Sequence, residues 1–202
     1  MKYVKVKQNT KSGYAECELG GVVDLAYPNS KTRRGRVQGG GWVSPTVTTT
    51  PALYRVEDMI ENKNIETANQ YRIRKITPLE AWILMGFSEE DFLSAKIGSK
   101  NNARQYMQEF EPDKHLEMMQ VVESKDVQKL SNSQLYKQAG NSITTCTLYY
   151  IYKNLYEAMP YLFDGLKVGS FFSGIGAFEK ALDMLQEDLR DGKKPFFVIE
   201  EE

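Results

Sequence analysis

Residues 1–51 carry short extended pieces and little helical repeat of apolar positions. They are rich in Gly, Thr and Val, and the run TRRGRVQGGGWVSPTVTTTP mixes apolar residues with turn-forming ones. Such a pattern is typical of short strands joined by loops. We therefore predict that this part of the chain is built from strands and loops.

Between residues 71 and 159 the signals are helical, and the helix starts are well marked. Thr77-Pro78-Leu79-Glu80 combines a capping threonine, a proline at the first helical position and a glutamate three residues after the cap. These residue types satisfy the free amides of a helix start. Ser88 to Asp91 and Ser131 to Gln134 repeat the arrangement. Gly86 is expected to end the first of these helices.

A longer helix is predicted from Ile143 to Met159, where Pro160 stops it. The apolar side chains Trp82, Met85 and Phe87 are interpreted as core residues rather than as a surface on which bases stack. The middle of the chain is therefore predicted to be a set of helices packed on an apolar core.

Residues 166–202 have the order strand, glycine turn, helix, strand. We predict a strand from Lys167 to Phe172, a turn from Ser173 to Ala177, a helix from Phe178 to about Arg190 and a second strand from Phe196 to Ile199. Two strands joined by a helical crossover are normally parallel neighbours. The chain is therefore expected to be an α/β protein, with the Ile143–Met159 helix lying near this unit.

Composition and net charge limit the kinds of ligand that the chain as a whole could attract. The content of 41% hydrophobic and 26% charged residues is that of an ordinary globular protein. The formal net charge of −1 gives no general attraction to DNA, so nucleic-acid contacts must come from a local basic patch. The sequence offers one such patch, at Lys31, Arg33, Arg34 and Arg36.

The two cysteines, Cys17 and Cys146, lie far apart and have no partners at metal-ligand spacing. This argues against a disulfide framework and against a zinc site, and it favours a reducing compartment. No apolar stretch approaches the roughly twenty residues that cross a bilayer, and the start MKYVKVKQNTKSG has no signal-peptide core. We expect a cytoplasmic protein with no metal and no membrane partner.

The glycine turn predicts a particular kind of ligand. A glycine pair after a strand lets backbone amides approach a ligand at the positive end of the next helix. A phosphate-binding P-loop needs Gly-Lys-Ser/Thr, which Gly176-Ala177-Phe178 does not provide. A dinucleotide fingerprint needs a third glycine, where this chain has Glu179. What remains is an adenosine ligand without phosphates, such as S-adenosylmethionine, or a tight turn that binds nothing.

Four segments together resemble the DNA (cytosine-5) methyltransferases. FFSGIGAFEKAL is similar to the family's first, cofactor-binding motif, and TPLEAWILMGF after a basic pair is similar to its penultimate motif. LYKQAGNSITTCTLYYIYKNL resembles the last motif, Gln-x-Gly-Asn-Ser followed by a long helix. RGRVQGGGWVSPTVTTTP resembles the segment that closes the family's DNA-recognition domain.

The order of these segments differs from the usual order in the family. There the SGIGAFE-type motif opens the chain and the QAGNS-type motif closes it, whereas here the closing motifs come first. The arrangement resembles a circular permutation, with residues 159–165 as the linker, and a fusion of two gene pieces is an equal alternative. In either case, termini that lie close together can be joined without disturbing a fold.

The glycine turn and the resemblance together give the residues that would bind S-adenosylmethionine: Asn141, Ser142, Phe172, Ser173, Gly174, Ile175, Gly176, Glu201 and Glu202. Arg33, Arg34 and Arg36 are predicted to contact phosphates of double-stranded DNA, because arginine forks suit phosphate oxygens; the alternative is a solvated turn. Thr46, Thr48, Arg74 and Lys75 lie in segments that resemble the family and are predicted to contact DNA as well.

The family's catalytic segments are missing from the sequence. Its nucleophile is a cysteine after a proline, assisted by the glutamate of a Glu-Asn-Val segment. Cys17 follows a glutamate and Cys146 follows a threonine, so neither matches, and both are interpreted as structural. No catalytic residue is therefore predicted in this chain.

These observations predict a partial Rossmann-like S-adenosylmethionine-dependent methyltransferase fold. Residues 1–56 would be the trailing edge of the DNA-recognition domain, residues 57–159 the helical segment with the last two motifs, and residues 160–202 the start of the cofactor-binding βαβ unit. The expected function is part of a cytosine methyltransferase whose catalytic segments come from a second polypeptide. The alternative is an inactive remnant that binds cofactor or DNA.

Overall fold

The computed structural model describes residues 3–27, 29–58, 71–98, 130–169, 174–190 and 197–199, the last three by their backbone. The chain divides into two compact units, Met1–Ala81 (unit 1) and Trp82–Glu202 (unit 2), with the division inside the first α-helix. No helix in the described ranges is long and apolar enough to cross a membrane.

Unit 1 consists of strands and loops up to the start of the first helix, as predicted for residues 1–51, but it also contains a strand at Tyr71–Lys75, where a helical segment was predicted. Strands β1 (Tyr3–Lys7) and β2 (Tyr14–Glu18) pair antiparallel, and β3 (Val22–Asp24), β4 (Leu53–Asp58) and β5 (Tyr71–Lys75) form a second antiparallel sheet in that order. A short 3₁₀ helix spans Gly39–Gly41.

Alternating side chains build the core of unit 1. In β1 the side chains of Val4 and Val6 are buried while those of the intervening residues are exposed, which is the period-two pattern of a strand with one buried face. Val4 lies opposite Cys17 in the β1–β2 pair, and both pack with Val23 and Val56 in one apolar cluster. The core of unit 1 is therefore a small cluster of valines around one cysteine.

The helices begin at the predicted starts or within two residues of them. They are α1 (Pro78–Leu84), α2 (Glu89–Ile97), α3 (Asn132–Asn141), α4 (Thr145–Ala158) and α5 (Ala177–Leu189), and a 3₁₀ helix covers Pro160–Phe163. Thr77 Oγ1 accepts the Glu80 amide at 3.2 Å, and the Glu80 carboxylate accepts the Thr77 amide at 2.8 Å. Ser88 and Ser131 make the same reciprocal capping bonds. These local predictions are confirmed.

Strands β6 (Leu166–Val168) and β7 (Phe197–Ile199) pair parallel, as predicted for two strands joined by a helix. The helix between them starts one residue earlier than expected, at Ala177. Helix α4 starts two residues later than the predicted Ile143 because Ser142 and Thr144 have extended backbones. Helices and strands are thus mixed along the chain.

An aromatic cluster centred on Trp82 connects α1 with α2 and α3. Its ring lies 5.3 Å from that of Phe87 and 5.8 Å from that of Phe92, and its indole N–H donates to the Leu135 carbonyl at 3.0 Å. The side chains of Trp82, Met85 and Phe87 are all buried, which confirms their interpretation as core residues. A buried indole N–H needs such an acceptor, so this bond fixes α3 against the end of α1.

The turn after α1 packs directly against the start of α4. Gly86 has a φ of +89°. The Thr145 amide donates to Met85 O at 2.9 Å and its hydroxyl donates to Gly86 O at 3.0 Å. Because Thr144 makes no side-chain cap, the Met85 carbonyl satisfies the first amide of α4 instead.

Gly86→Ala should strongly destabilise unit 2. A Cβ at this position would lie 2.1 Å from Thr145 Oγ1 in addition to being strained by the positive φ. We expect the free energy of unfolding to fall by about 2–4 kcal/mol, measured by urea unfolding with Trp82 fluorescence in a Trp42→Phe background.

The matched control is Gly98→Ala. Gly98 also follows a helix with a positive φ, but a Cβ there meets nothing within 4 Å. It should cost only about 1 kcal/mol of backbone strain. Equal losses in the two variants would contradict the close contact at Gly86.

Candidate functional site

A cleft of about 800 Å³ lies in unit 2, beside the end of β6, the start of α5 and the loop 142–144 between α3 and α4. Both predicted cofactor motifs contribute to its lining, although they are more than thirty positions apart in the sequence. The cleft is lined by Leu130, Gln134, Lys137, Gln138, Asn141, Ser142, Ile143, Tyr152, Val168, Gly169, Gly174, Ile175, Ala177, Phe178 and Glu179.

Asn141 and Ser142 reach the cleft because α3 ends there. Asn141 is the last residue of α3 and is exposed, and the Ser142 amide closes the helix by donating to Ala139 O at 3.2 Å. The Ser142 hydroxyl donates to Ile143 O at 3.1 Å, which leaves its lone pairs as acceptors. The two residues therefore present an amide and a hydroxyl on one wall.

Gly174 and Gly176 belong to the turn before α5, of which Gly174 and Ile175 line the cleft. Their φ values are +66° and +77°, and a Cβ added to Gly174 would meet nothing within 4 Å. Gly176 is the N-cap of α5 and offers no side chain to the first amides of that helix. Open space beside Gly174 and uncapped amides at the start of α5 are the features that let a ligand approach a backbone closely.

Two acceptors that the sequence analysis did not select lie on the cleft. Gln138 Oε1 and Glu179 Oε2 are buried atoms without a hydrogen-bond partner in the described part of the chain. Burial raises the pKa of Tyr152, another lining residue, and the negative charge of Glu179 raises it further. Gln138 is the glutamine of the QAGNS segment, so the motif itself was the signal that could have found it.

The remaining predicted cofactor residues, Phe172, Ser173, Glu201 and Glu202, lie outside the described residues. The prediction for them stays a prediction. Asn141, Ser142, Gly174 and Ile175 meet at the cleft, and Gly176 caps the adjoining helix.

The predicted DNA contact at Arg36 is corrected by the structure. Only 2% of this residue is exposed, and its guanidinium donates to the carbonyls of Asp24 at 3.3 Å and Tyr27 at 2.6 Å. A guanidinium inside unit 1 that is bonded to carbonyls has no surface for a phosphate. Arg36 is a structural residue.

The other residues of the same segment are nearer the surface. Arg33 is half-buried and forms an ion pair with Asp24. Arg34 is exposed, and so are Thr46 and Thr48, which alternate with buried neighbours. These three positions are open to a partner.

The predicted DNA contact at Arg74 is also wrong, because two carboxylates are hydrogen-bonded to its guanidinium. Its Nη1 and Nη2 atoms lie 2.7 Å from the two Glu80 oxygens, and its Nε lies 2.6 Å from Glu57. Such a bidentate pair holds β5 to the first turn of α1. Arg74 is therefore structural, whereas the neighbouring Lys75 is exposed.

The ion-pair cluster depresses the pKa of Glu80. Burial alone would raise this pKa, but hydrogen bonds from Arg74, the Thr77 amide and Arg55 outweigh burial and lower it to about 2. The guanidinium of Arg74 has its pKa raised in return by the same carboxylates. The cluster is fully ionised at neutral pH.

The cysteines differ in their surroundings. Cys17 is fully buried, and burial together with the nearby Glu18 raises the pKa of its thiol, so it is structural as predicted. Cys146 is exposed on α4, and its interpretation as structural stays a prediction. The described ranges contain no group of three His, Cys, Asp or Glu side chains that could hold a metal ion.

Part of the chain is homologous to methyltransferases. Over 87 residues, 43% of this chain, it is 41% identical to an orphan methyltransferase of Bacillus phage rho11s, covering 11% of that protein. Over 86 residues it is 36% identical to orphan methyltransferases of Bacillus phages SPbeta and phi3T, covering 13% of each. The chain spans only this small share of the curated relatives it matches. No protein-family model and no solved structure match it.

Glu80→Gln should make unit 1 less stable and less sensitive to acid. The folded-state pKa of about 2 lies below the ordinary value of 4.5, so the ionised carboxylate stabilises the unit above about pH 4.5. That contribution disappears as the pH falls from about 4.5 towards 2. We expect the free energy of unfolding to fall by about 2 kcal/mol at neutral pH. Between about pH 4.5 and 2 it should also depend less on pH than in the wild type. Both are measured by urea unfolding followed by circular dichroism.

Glu16→Gln is the control, because Glu16 is exposed on β2. It should leave both the stability and its dependence on pH unchanged. If the Glu80→Gln variant lost stability at acid pH as the wild type does, the Arg74–Glu80 pair would not be the cause of that loss.

Proposed function

We propose that this chain is part of a DNA (cytosine-5) methyltransferase. It binds S-adenosylmethionine in the cleft of unit 2 and contributes contacts to double-stranded DNA from unit 1. A second polypeptide supplies the Pro-Cys loop, the Glu-Asn-Val segment and the rest of the DNA-recognition domain.

One observation carries the proposal. The QAGNS-type and SGIG-type segments resemble the last and first motifs of that family, and they line the same cleft through Asn141 and Ser142 and through Gly174 and Ile175. Two unrelated turns would have no reason to meet at one cavity. The homology of part of the chain to phage methyltransferases supports the same assignment.

The cleft suits S-adenosylmethionine in size and chemistry. Its volume of about 800 Å³ falls within the usual range for small-ligand sites. Ile143, Ile175 and Phe178 offer apolar surface for an adenine ring. The unpartnered oxygens of Gln138 and Glu179 are acceptors for hydroxyl or ammonium groups. The bound cofactor supplies an electrophilic methyl group.

The residues of this chain bind and orient rather than react. A thiolate nucleophile needs a lowered pKa and access to the base. Cys17 has neither, because it is buried with a raised pKa. Cys146 is exposed but lacks the preceding proline of the family's nucleophile. The reaction therefore depends on the second polypeptide for the attack on carbon 6 of cytosine.

The DNA contacts of unit 1 come from its exposed positions. Arg34, Thr46 and Thr48 remain from the predicted set, together with Lys75. Arginine, lysine and threonine are usual donors to phosphate oxygens. These contacts position DNA without reading its sequence.

Gly174→Val should abolish cofactor binding without unfolding the chain. The space beside Gly174 that is now open would be filled by the branched side chain. For the wild-type chain we expect calorimetry to give a dissociation constant no better than about 100 µM, or about −5.5 kcal/mol. The variant should show no heat of binding.

Gly165→Val is the matched control. Gly165 has the same φ of +66° and equally open space at its Cβ, but it does not line the cleft. It should therefore carry the same backbone strain and still bind the cofactor. Unchanged binding in Gly174→Val would mean that the glycine turn is only structural.

The purified chain alone should not transfer a methyl group to DNA. Tritium transfer from labelled S-adenosylmethionine to mixed-sequence DNA is the assay, run with and without a polypeptide that carries the Pro-Cys and Glu-Asn-Val segments. Activity should appear only with that polypeptide, and replacing Cys17 and Cys146 by serine should leave it essentially unchanged.

Two results would change the proposal. If the chain alone were active and lost its activity in Cys17→Ser or Cys146→Ser, the nucleophile would lie in this chain. That result would contradict the proposal that a second polypeptide supplies it. Cofactor binding without activity in the presence of the complementing polypeptide would favour an inactive remnant instead.

A further inference from the structure

Tyr27 stands out on the surface of unit 1. Its side chain is large and apolar, yet the residue is 74% exposed. Its φ of +50° makes it the non-glycine residue with a positive φ in the described ranges. Bulky residues rarely adopt this conformation, and strained conformations persist where surrounding contacts impose them.

The contacts that impose it come from the buried Arg36. Its Nη2 donates to Tyr27 O at 2.6 Å, and the Ser30 amide donates to the same oxygen at 2.9 Å. Arg36 also donates to Asp24 O at 3.3 Å, so it fastens the turn to the end of β3. The arginine that sequence reasoning assigned to phosphate therefore fixes the backbone that holds the tyrosine ring outwards.

One arginine lies over this ring, and two further cations follow it in the same short segment of the chain. The Arg33 guanidinium lies 5.5 Å from the ring centroid of Tyr27 and is paired with Asp24. Lys31 and Arg34 are exposed, and neither has a hydrogen-bond or ion-pair partner in the described ranges. An exposed aromatic ring among cations is the combination that binds unstacked bases and their phosphates.

We propose that Tyr27 stacks on an unstacked base of bound DNA while Arg34 and Lys31 contact the flanking phosphates. The inference rests on the proposed function, because a base leaves the duplex stack when a base-modifying enzyme extrudes its target. The cations Lys31, Arg33 and Arg34 in the same segment favour nucleic acid over an apolar protein partner. Tyr27 is thus a positioning residue for DNA rather than a catalytic one.

The test compares two 30-base-pair duplexes of the same mixed sequence, one intact and one with a single unpaired bulged base. Binding of the full chain is measured by fluorescence anisotropy at several salt concentrations. We expect wild type to bind the bulged duplex more tightly. Tyr27→Ala should lose that preference by about tenfold while binding the intact duplex as before, and Tyr27→Phe should retain it.

Two further variants separate stacking from charge. Arg34→Ala should weaken binding to both duplexes equally and reduce the salt slope by about one unit. Tyr3→Ala is the matched control, since Tyr3 is an exposed tyrosine that lies opposite the acidic Glu18. Tyr3→Ala should leave the affinity for both duplexes unchanged. In addition, a 5-iodouracil at the bulge should photo-cross-link to Tyr27, as located by mass spectrometry.

The outcomes distinguish this inference from the proposed function. If wild type binds both duplexes equally, or if Tyr27→Ala keeps the preference, stacking is overturned while DNA binding stands. If wild type binds neither duplex, the DNA contacts of the proposed function fail together with the stacking. A cross-link at another aromatic residue would assign the stacking role elsewhere.

Discussion

The contact between Gly86 and Thr145 is the constraint on which the geometry of unit 2 depends. Backbone carbonyls of the turn after α1 hold both the amide and the hydroxyl of Thr145, so the start of α4 cannot shift without losing two hydrogen bonds. The Trp82 indole fixes α3 to the same helix. Both ends of the loop 142–144 are therefore anchored to α1, and one wall of the cleft is positioned by residues that do not line it.

Helix packing holds α5, whose first residues also line the cleft. The apolar face of α5, with Leu182 and Leu185, packs with Phe163 in one cluster. Tyr149 donates to Asp188 at 2.8 Å, and Lys180 pairs with Asp91 at 2.9 Å, which ties α5 to α4 and to α2. A cleft between two fixed walls needs little ordering when a ligand enters, so less of the binding energy is lost.

Local features of this chain could be predicted from the sequence, and non-local ones could not. Capping at Thr77, Ser88 and Ser131 depends on residues three positions apart. The parallel pairing of β6 and β7 follows from the helical crossover that joins them. The roles of Arg36 and Arg74 depend on carbonyls and carboxylates that only the fold brings near. No spacing rule distinguishes such arginines from those that face solvent. The fold class of the whole protein stays a prediction.

The short 3₁₀ helix Pro160–Phe163 connects α4 to β6 and also contributes a side chain to the apolar core. Phe163 is 3% exposed and stacks edge-on against Tyr156 at 5.5 Å. The segment that joins the two motifs thus supplies part of the apolar core beneath α5. The joint between the two motifs therefore provides packing as well as continuity of the chain. A cut of the chain at this joint would open the core and expose apolar surface on both fragments.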